Sequence, residues 1–84
     1  MKVYDIEITA EQIAAAVNAM RGEFRMNDVV VAIIRAGVPQ GHVASRAVDR
    51  LLQRERRAGR ILTVNNKLWR ATGEEANARA ERKL

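Results

Sequence analysis

The sequence contains no cysteine, and it has one histidine, one proline and one each of tryptophan, tyrosine and phenylalanine. Without thiols there is neither a disulfide nor a thiolate metal site, and a lone imidazole cannot build the usual His/Cys zinc cage. So few aromatics cannot make a platform on which single-stranded bases stack. Long apolar runs are also missing. The longest aliphatic stretch, Val29 to Ile34, is far shorter than a bilayer span. The opening residues "MKVYDIEITAEQ" carry acids where a signal peptide would carry an apolar run. The expectation is a soluble, intracellular chain without membrane contact. There is no glycine-rich phosphate loop, and no gathering of carboxylates suits acid/base work. The histidine, His42, has no cysteine to pair with, and its serine neighbour is three residues on, at Ser45. Neither an enzyme nor a cofactor is expected.

What the chain does have is positive charge, unevenly placed. The total is +5 over 84 residues, a length that allows one domain with a single small core. Residues 1–28 hold three Lys/Arg against five Asp/Glu, whereas residues 29–57 hold six against two. Residues 58–72 hold three against none, and residues 73–84 balance at three each. A basic second half of this kind fits a polyanionic partner, although a solvated basic face has the same composition.

Helix signals come first at Thr9. Gln12 follows at capping-box spacing, and Ile8 and Ile13 occupy the staple positions around it. Ile13, Val17 and Met20 then form one apolar stripe, and Gly22 is a stop. The preceding "KVYDI" reads as a short extended arm within residues 1–8. "EFRM" is either a short strand or a link. In "NDVVVAIIRAG", Asn27 or Asp28 can cap and Gly37 can stop a second helix. Five β-branched residues there also suit a buried strand, but the caps and the face of Val29, Val30 and Ile33 favour a helix.

A third helix is expected from Gln40 or Gly41 to Arg57. Ala44, Ala47, Val48, Leu51 and Leu52 make its buried stripe, and Gly59 ends it. Glu55 falls where that stripe would continue, which predicts a last turn projecting beyond the core. "RILTVNNKLWRAT" changes to β character around Asn65-Asn66, a hairpin signal. A two-residue turn would pair Leu62 with Trp69 and Thr63 with Leu68, and a longer loop would shift that register. Trp69 is expected to pack within the hairpin or core. Residues 73–84 are polar and alanine-rich, a tail expected to be a frayed helix or disordered.

The stretch "DVVVAIIRAGVPQGHVASRAVDRLLQRERRAGRILTV" resembles a winged helix-turn-helix domain, with "ASRAVDRLL" and "AGRIL" carrying the resemblance. It covers about residues 8–72. Two departures stand out: the turn "GVPQGH" is about one residue longer than in the tightest family members, and the third helix about one turn longer than usual. The resemblance implies a mainly α fold with a small β-hairpin, α+β, in the order helix, possible strand, helix, helix, strand, strand. It also implies a recognition helix for the DNA major groove over about 40–57 and a wing over 60–72.

The matching positions on that helix are Gln40, His42, Ser45, Arg46, Asp49 and Arg50. Arginine pairs with guanine and glutamine with adenine. Ser45 suits a phosphate, while Asp49 would accept from cytosine or hold a neighbouring arginine. Arg56, Arg57 and Arg60, with Lys67 and Arg70 of the hairpin, are candidate backbone contacts. The expected function is duplex-DNA binding by a small transcriptional regulator in the cytoplasm, associated with the nucleoid. Binding as a homodimer or as repeated copies would supply affinity that one small module lacks. The rival expectation is a protein-interaction module of the same fold that docks on an acidic protein partner or on itself.

Overall fold

In the computed structural model, which describes residues 1–72, the first helix starts as its capping residues dictate. The Thr9 hydroxyl accepts from the Gln12 amide at 3.1 Å, and the Gln12 side chain accepts from the Thr9 amide at 2.9 Å. Ile8 is buried and Ile13 packs partly buried on the core, so the staple is in place. The elements follow in the order β1 (Lys2–Val3), β2 (Ile6–Glu7), α1 (Ala10–Ala19), β3 (Glu23–Phe24), α2 (Met26–Arg35), α3 (His42–Arg57), β4 (Ile61–Asn65) and β5 (Leu68–Ala71). Three helices therefore combine with two small antiparallel sheets in an α+β architecture.

The "KVYDI" arm is a hairpin and not a simple extended segment. Lys2 pairs with Glu7 and Val3 with Ile6. Tyr4 and Asp5 form the two-residue turn, both with positive φ, 47° and 64°. That is the primed geometry whose twist matches the flanking strands. α1 ends at Ala19 with Met20 as its cap, before the expected Gly22. α2 is a helix as favoured, but its cap is Arg25, with neither Asn27 nor Asp28 in that role. Asp28 sits inside the first turn, and its carboxylate reaches back to accept from the Arg25 amide at 2.9 Å. An acid there also suits the positive end of the helix dipole.

α2 closes with a Schellman motif. The Gly37 amide donates to the Ile34 carbonyl and the Val38 amide to the Ile33 carbonyl. Gly37 supplies the positive φ of 108°, and Val38 and Ile33 are both buried, which is the apolar contact such an ending carries. The chain then turns through Pro39 and Gln40 to Gly41, the cap of α3, whose φ of 100° and ψ of −138° suit glycine. These local geometries aim α3 across α1 and α2. Its stripe of Ala44, Ala47, Val48, Leu51 and Leu52 is fully buried with Val29, Ile33, Phe24 and Ile61 in one core.

The stripe continues for one more turn than apolarity alone indicates. Glu55 is buried, at 3% exposure, so the last turn of α3 is anchored and does not project. The Arg60 guanidinium closes on the Glu55 carboxylate through Nε at 3.0 Å and through Nη2. A second Schellman ending, with Gly59 at φ 77°, brings Arg60 into position by its own amide bond to the Glu55 carbonyl.

The second sheet has the order β3-β5-β4, with β5 in the centre. The stretch "EFRM" thus supplies a short strand, and Trp69 lies opposite Phe24 on one side and Thr63 on the other. The β4–β5 register differs from the two-residue pairing expected from Asn65-Asn66. Thr63 pairs with Trp69, Leu62 with Arg70 and Asn65 with Leu68, leaving Val64 as the extra residue of a bulge. Neither asparagine takes positive φ. Asn65 instead accepts the Lys67 amide on its side-chain oxygen at 2.9 Å. Thr72 ties the base of the hairpin by donating its amide to the Arg60 carbonyl and its hydroxyl to the Gly59 carbonyl. The tail expectation for residues 73–84 lies outside the described residues. Among the described residues, no helix is long and apolar enough to cross a membrane.

Candidate nucleic-acid interface

An α-helix turns about 100° per residue, so positions 46, 50, 53 and 57 share one face. With the buried stripe opposite, that face is outward by construction. Arg46, Asp49, Arg50, Gln53, Arg54 and Arg57 line one shallow groove along it. Four arginines against one aspartate make the groove basic. From Arg46 to Arg57 it runs about 16 Å, at 1.5 Å per residue.

The structure brings Arg46, Asp49, Arg50 and Arg57 together, as expected, and adds Gln53 and Arg54. Both additions were legible, since Gln53 is seven residues from Arg46 and Arg54 four from Arg50. Ser45 and Arg56 are exposed, but by helical phase they point about 80–100° away from Arg46, on the flank opposite Arg54. Gln40 is exposed in the turn. His42 opens α3 and shares a second shallow depression with Tyr4 and Val43.

Several candidates already have work inside the molecule. Arg46 lies 3.5 Å from Asp49, an exposed pair one turn apart and worth a few tenths of a kcal/mol at most. This answers the question of Asp49 in part: it steadies a neighbouring arginine. Arg50 Nη1 donates to the Lys2 carbonyl at 2.6 Å, which straps β1 to α3. Arg60, expected at the backbone of a duplex, is committed to Glu55. Its hydrogen bonds hold the Glu55 carboxyl below its ordinary value despite burial, and Arg54, at 3.6 Å, acts in the same direction. The same pairing raises the Arg60 guanidinium above its own. Arg70 is half-buried on the central strand, opposite Glu23 in register, so of the two cations of the β4–β5 hairpin only Lys67, at its tip, is exposed. Arg54, Arg56 and Arg57 also fall in the last turn of α3, where cations complement the helix dipole.

The start of α3 is open. Gly41 offers no side-chain cap, so the first amides of the helix face outward unsatisfied by a side chain. The amides at the N-terminus of a helix favour an anion. Among the described residues no group of three His, Asp or Glu could hold a metal ion. Comparison with protein-family models, with curated proteins and with solved structures finds no match for this chain.

Proposed function

We propose that this chain is a winged helix-turn-helix protein that binds duplex DNA, with α3 as the recognition helix and β4–β5 as the wing. The observation that carries the reading is the arginine-lined groove on the outward face of α3, set behind a tight turn and followed by a basic hairpin. The pairing of β3 with β5 supports the same topology, because a strand between the first two helices extends the wing into a three-stranded sheet. A B-form major groove about 12 Å wide admits one helix. His42, Ser45, Arg46 and Asp49 occupy the N-terminal half of α3 and sample base edges and the nearest phosphates. Arg57 lies further along and neutralises a backbone phosphate, with Lys67 at the wing tip.

Arg46 can leave Asp49 for a guanine or a phosphate at small cost, because the exposed pair is weak. Asp49 then accepts from a cytosine amino group or continues to orient Arg46. Use as a regulator at a defined site calls for two copies or repeated sites, since one small module buries little surface on DNA.

The test is titration of a labelled duplex over a range of salt concentrations. With about three to five phosphates neutralised, log K falls against log salt with a slope of about −3 to −5. Absence of binding at low salt ends the reading. The exposed apolar residues Leu62 and Val64 on β4 favour a second reading, a protein-docking module. A chain that purifies free of nucleic acid at low salt in a stable complex with another protein supports that alternative.

A further inference from the structure

The β1–β2 hairpin stands in an unexpected place. One hydrogen bond and one shared depression set it along the first half of α3. At one end, Arg50 Nη1 donates to the Lys2 carbonyl. At the other, Tyr4 borders His42 and Val43 at the start of the helix. From His42 to Arg50 is about 12 Å of helix, so the hairpin runs beside the segment proposed to enter the major groove.

Tyr4 is the anomaly within it. It is 65% exposed, more than any other large apolar side chain described. It also sits at a positive φ of 47°, in a turn that asparagine and glycine fill without strain. An exposed aromatic held in a disfavoured backbone conformation contributes nothing to the core and weakens its own turn. Such a residue at this position calls for an external partner.

We propose that the β1–β2 turn is a second DNA-contacting element, with Tyr4 bonding a sugar-phosphate strand that borders the major groove occupied by α3. This rests on the DNA-binding reading above. A helix in the major groove has a phosphate wall on either side, so an element fixed to the flank of its first half meets one of those walls. The Tyr4 hydroxyl donates to a phosphate oxygen while its ring covers the adjoining sugar. Lys2, exposed on the same hairpin, adds a cation. The Lys2 carbonyl takes one Arg50 nitrogen, and a guanidinium has further donors. The opposing charges on the hairpin are Asp5 in the turn and Glu7, which stands opposite Lys2 in register and pairs with the N-terminal amine at 3.5 Å.

The substitutions that test this are chosen to keep the turn. Asparagine tolerates positive φ, so Tyr4→Asn and Asp5→Asn preserve or improve the local fold. Affinity for a labelled mixed-sequence duplex at low salt is compared for the wild type, Tyr4→Asn, Tyr4→Phe, Asp5→Asn and Arg46→Ala, alongside the melting temperature of each. Tyr4→Asn is expected to bind about ten- to a hundredfold more weakly, the size of one hydrogen bond to a charged group, with an unchanged or higher melting temperature. Tyr4→Phe, which retains the ring, is expected to lose part of that, and Asp5→Asn to bind at least as tightly as wild type. Wild-type affinity in both Tyr4 variants overturns the inference, as does an equal loss in Asp5→Asn. If Arg46→Ala weakens binding in that case, the DNA-binding reading stands without it. A wild type that binds no duplex overturns both.

Discussion

Removing the charge of Glu55 isolates one interaction that holds the end of α3 to the start of β4. The carboxylate is 3% exposed and meets Arg60 through two nitrogens, with Arg54 behind. A hydrogen bond to a charged group is worth about 1.5–3 kcal/mol when fully buried. The partners here are wet, with the Arg60 side chain 58% and the Arg54 side chain 50% exposed, so screening lowers the figure. Glu55→Gln, which keeps the volume and one hydrogen bond, is therefore expected to cost about 1 kcal/mol at neutral pH. For a domain of this size that is about 4–8 °C in melting temperature. The sign with pH is fixed by linkage. The Glu55 pKa is lowered from 4.5 in the folded state, so its contribution is complete above 4.5 and disappears as pH falls through the folded value. Urea denaturation should show the gap between wild type and Glu55→Gln at neutral pH and its closure in strong acid. Glu55→Met should be less damaging than Arg60→Ala, because the first extends an apolar stripe and the second strands a buried carboxylate. A gap that is the same at both pH values refutes the reasoning, and so does Glu55→Met proving the worse of the two.

Two further outcomes bear on the turn and on the basic groove. Gly41→Ala should destabilise by about 1–3 kcal/mol in chemical denaturation, from backbone strain alone. An added Cβ there meets nothing within 4 Å, so an unchanged midpoint would show that α3 can start in another conformation. Arg46→Ala should weaken binding to a selected duplex more than Arg57→Ala, while each lowers the salt slope by about one if it contacts a phosphate. Equal losses in a selection-based affinity assay would remove the base-reading role from the N-terminal half of the helix.

The elements that could be read from the chain are those whose determinants are local. Thr9 and Gln12 bond each other three residues apart, and the α3 stripe repeats within a few turns. Gly37 and Gly59 stop their helices through their own positive φ. What escaped is carried by contacts that spacing does not encode. Glu55 counts as polar in any periodicity, and its partner Arg60 lies beyond the helix end. The β4–β5 register depends on Val64 bulging out, and nothing in "LTVNN" marks which residue will do so. The β1–β2 turn uses Tyr4-Asp5, a poor match to the asparagine-glycine pattern that signals such turns. Arg50 bonds a backbone carbonyl 48 residues away, and every residue offers the same carbonyl. The face of the candidate site was thus legible, and the internal commitments of its arginines were not.

Those commitments rank the arginines as ligands for a polyanion. An arginine can turn to a phosphate only if what it leaves behind loses little. Arg57 has no ion pair among the described residues and leaves no side-chain partner behind. Arg46 gives up an exposed contact with Asp49, worth a few tenths of a kcal/mol. Arg50 has its other nitrogens to offer and need not release Lys2 at all, since a guanidinium carries five donors. Arg60 is different in kind, because leaving Glu55 would abandon a buried carboxylate and loosen the base of the hairpin. The availability of each basic side chain therefore follows from the burial of its present partner. On that measure the proposed interface centres on Arg46, Arg50 and Arg57, and Arg60 would serve it by holding the hairpin in place.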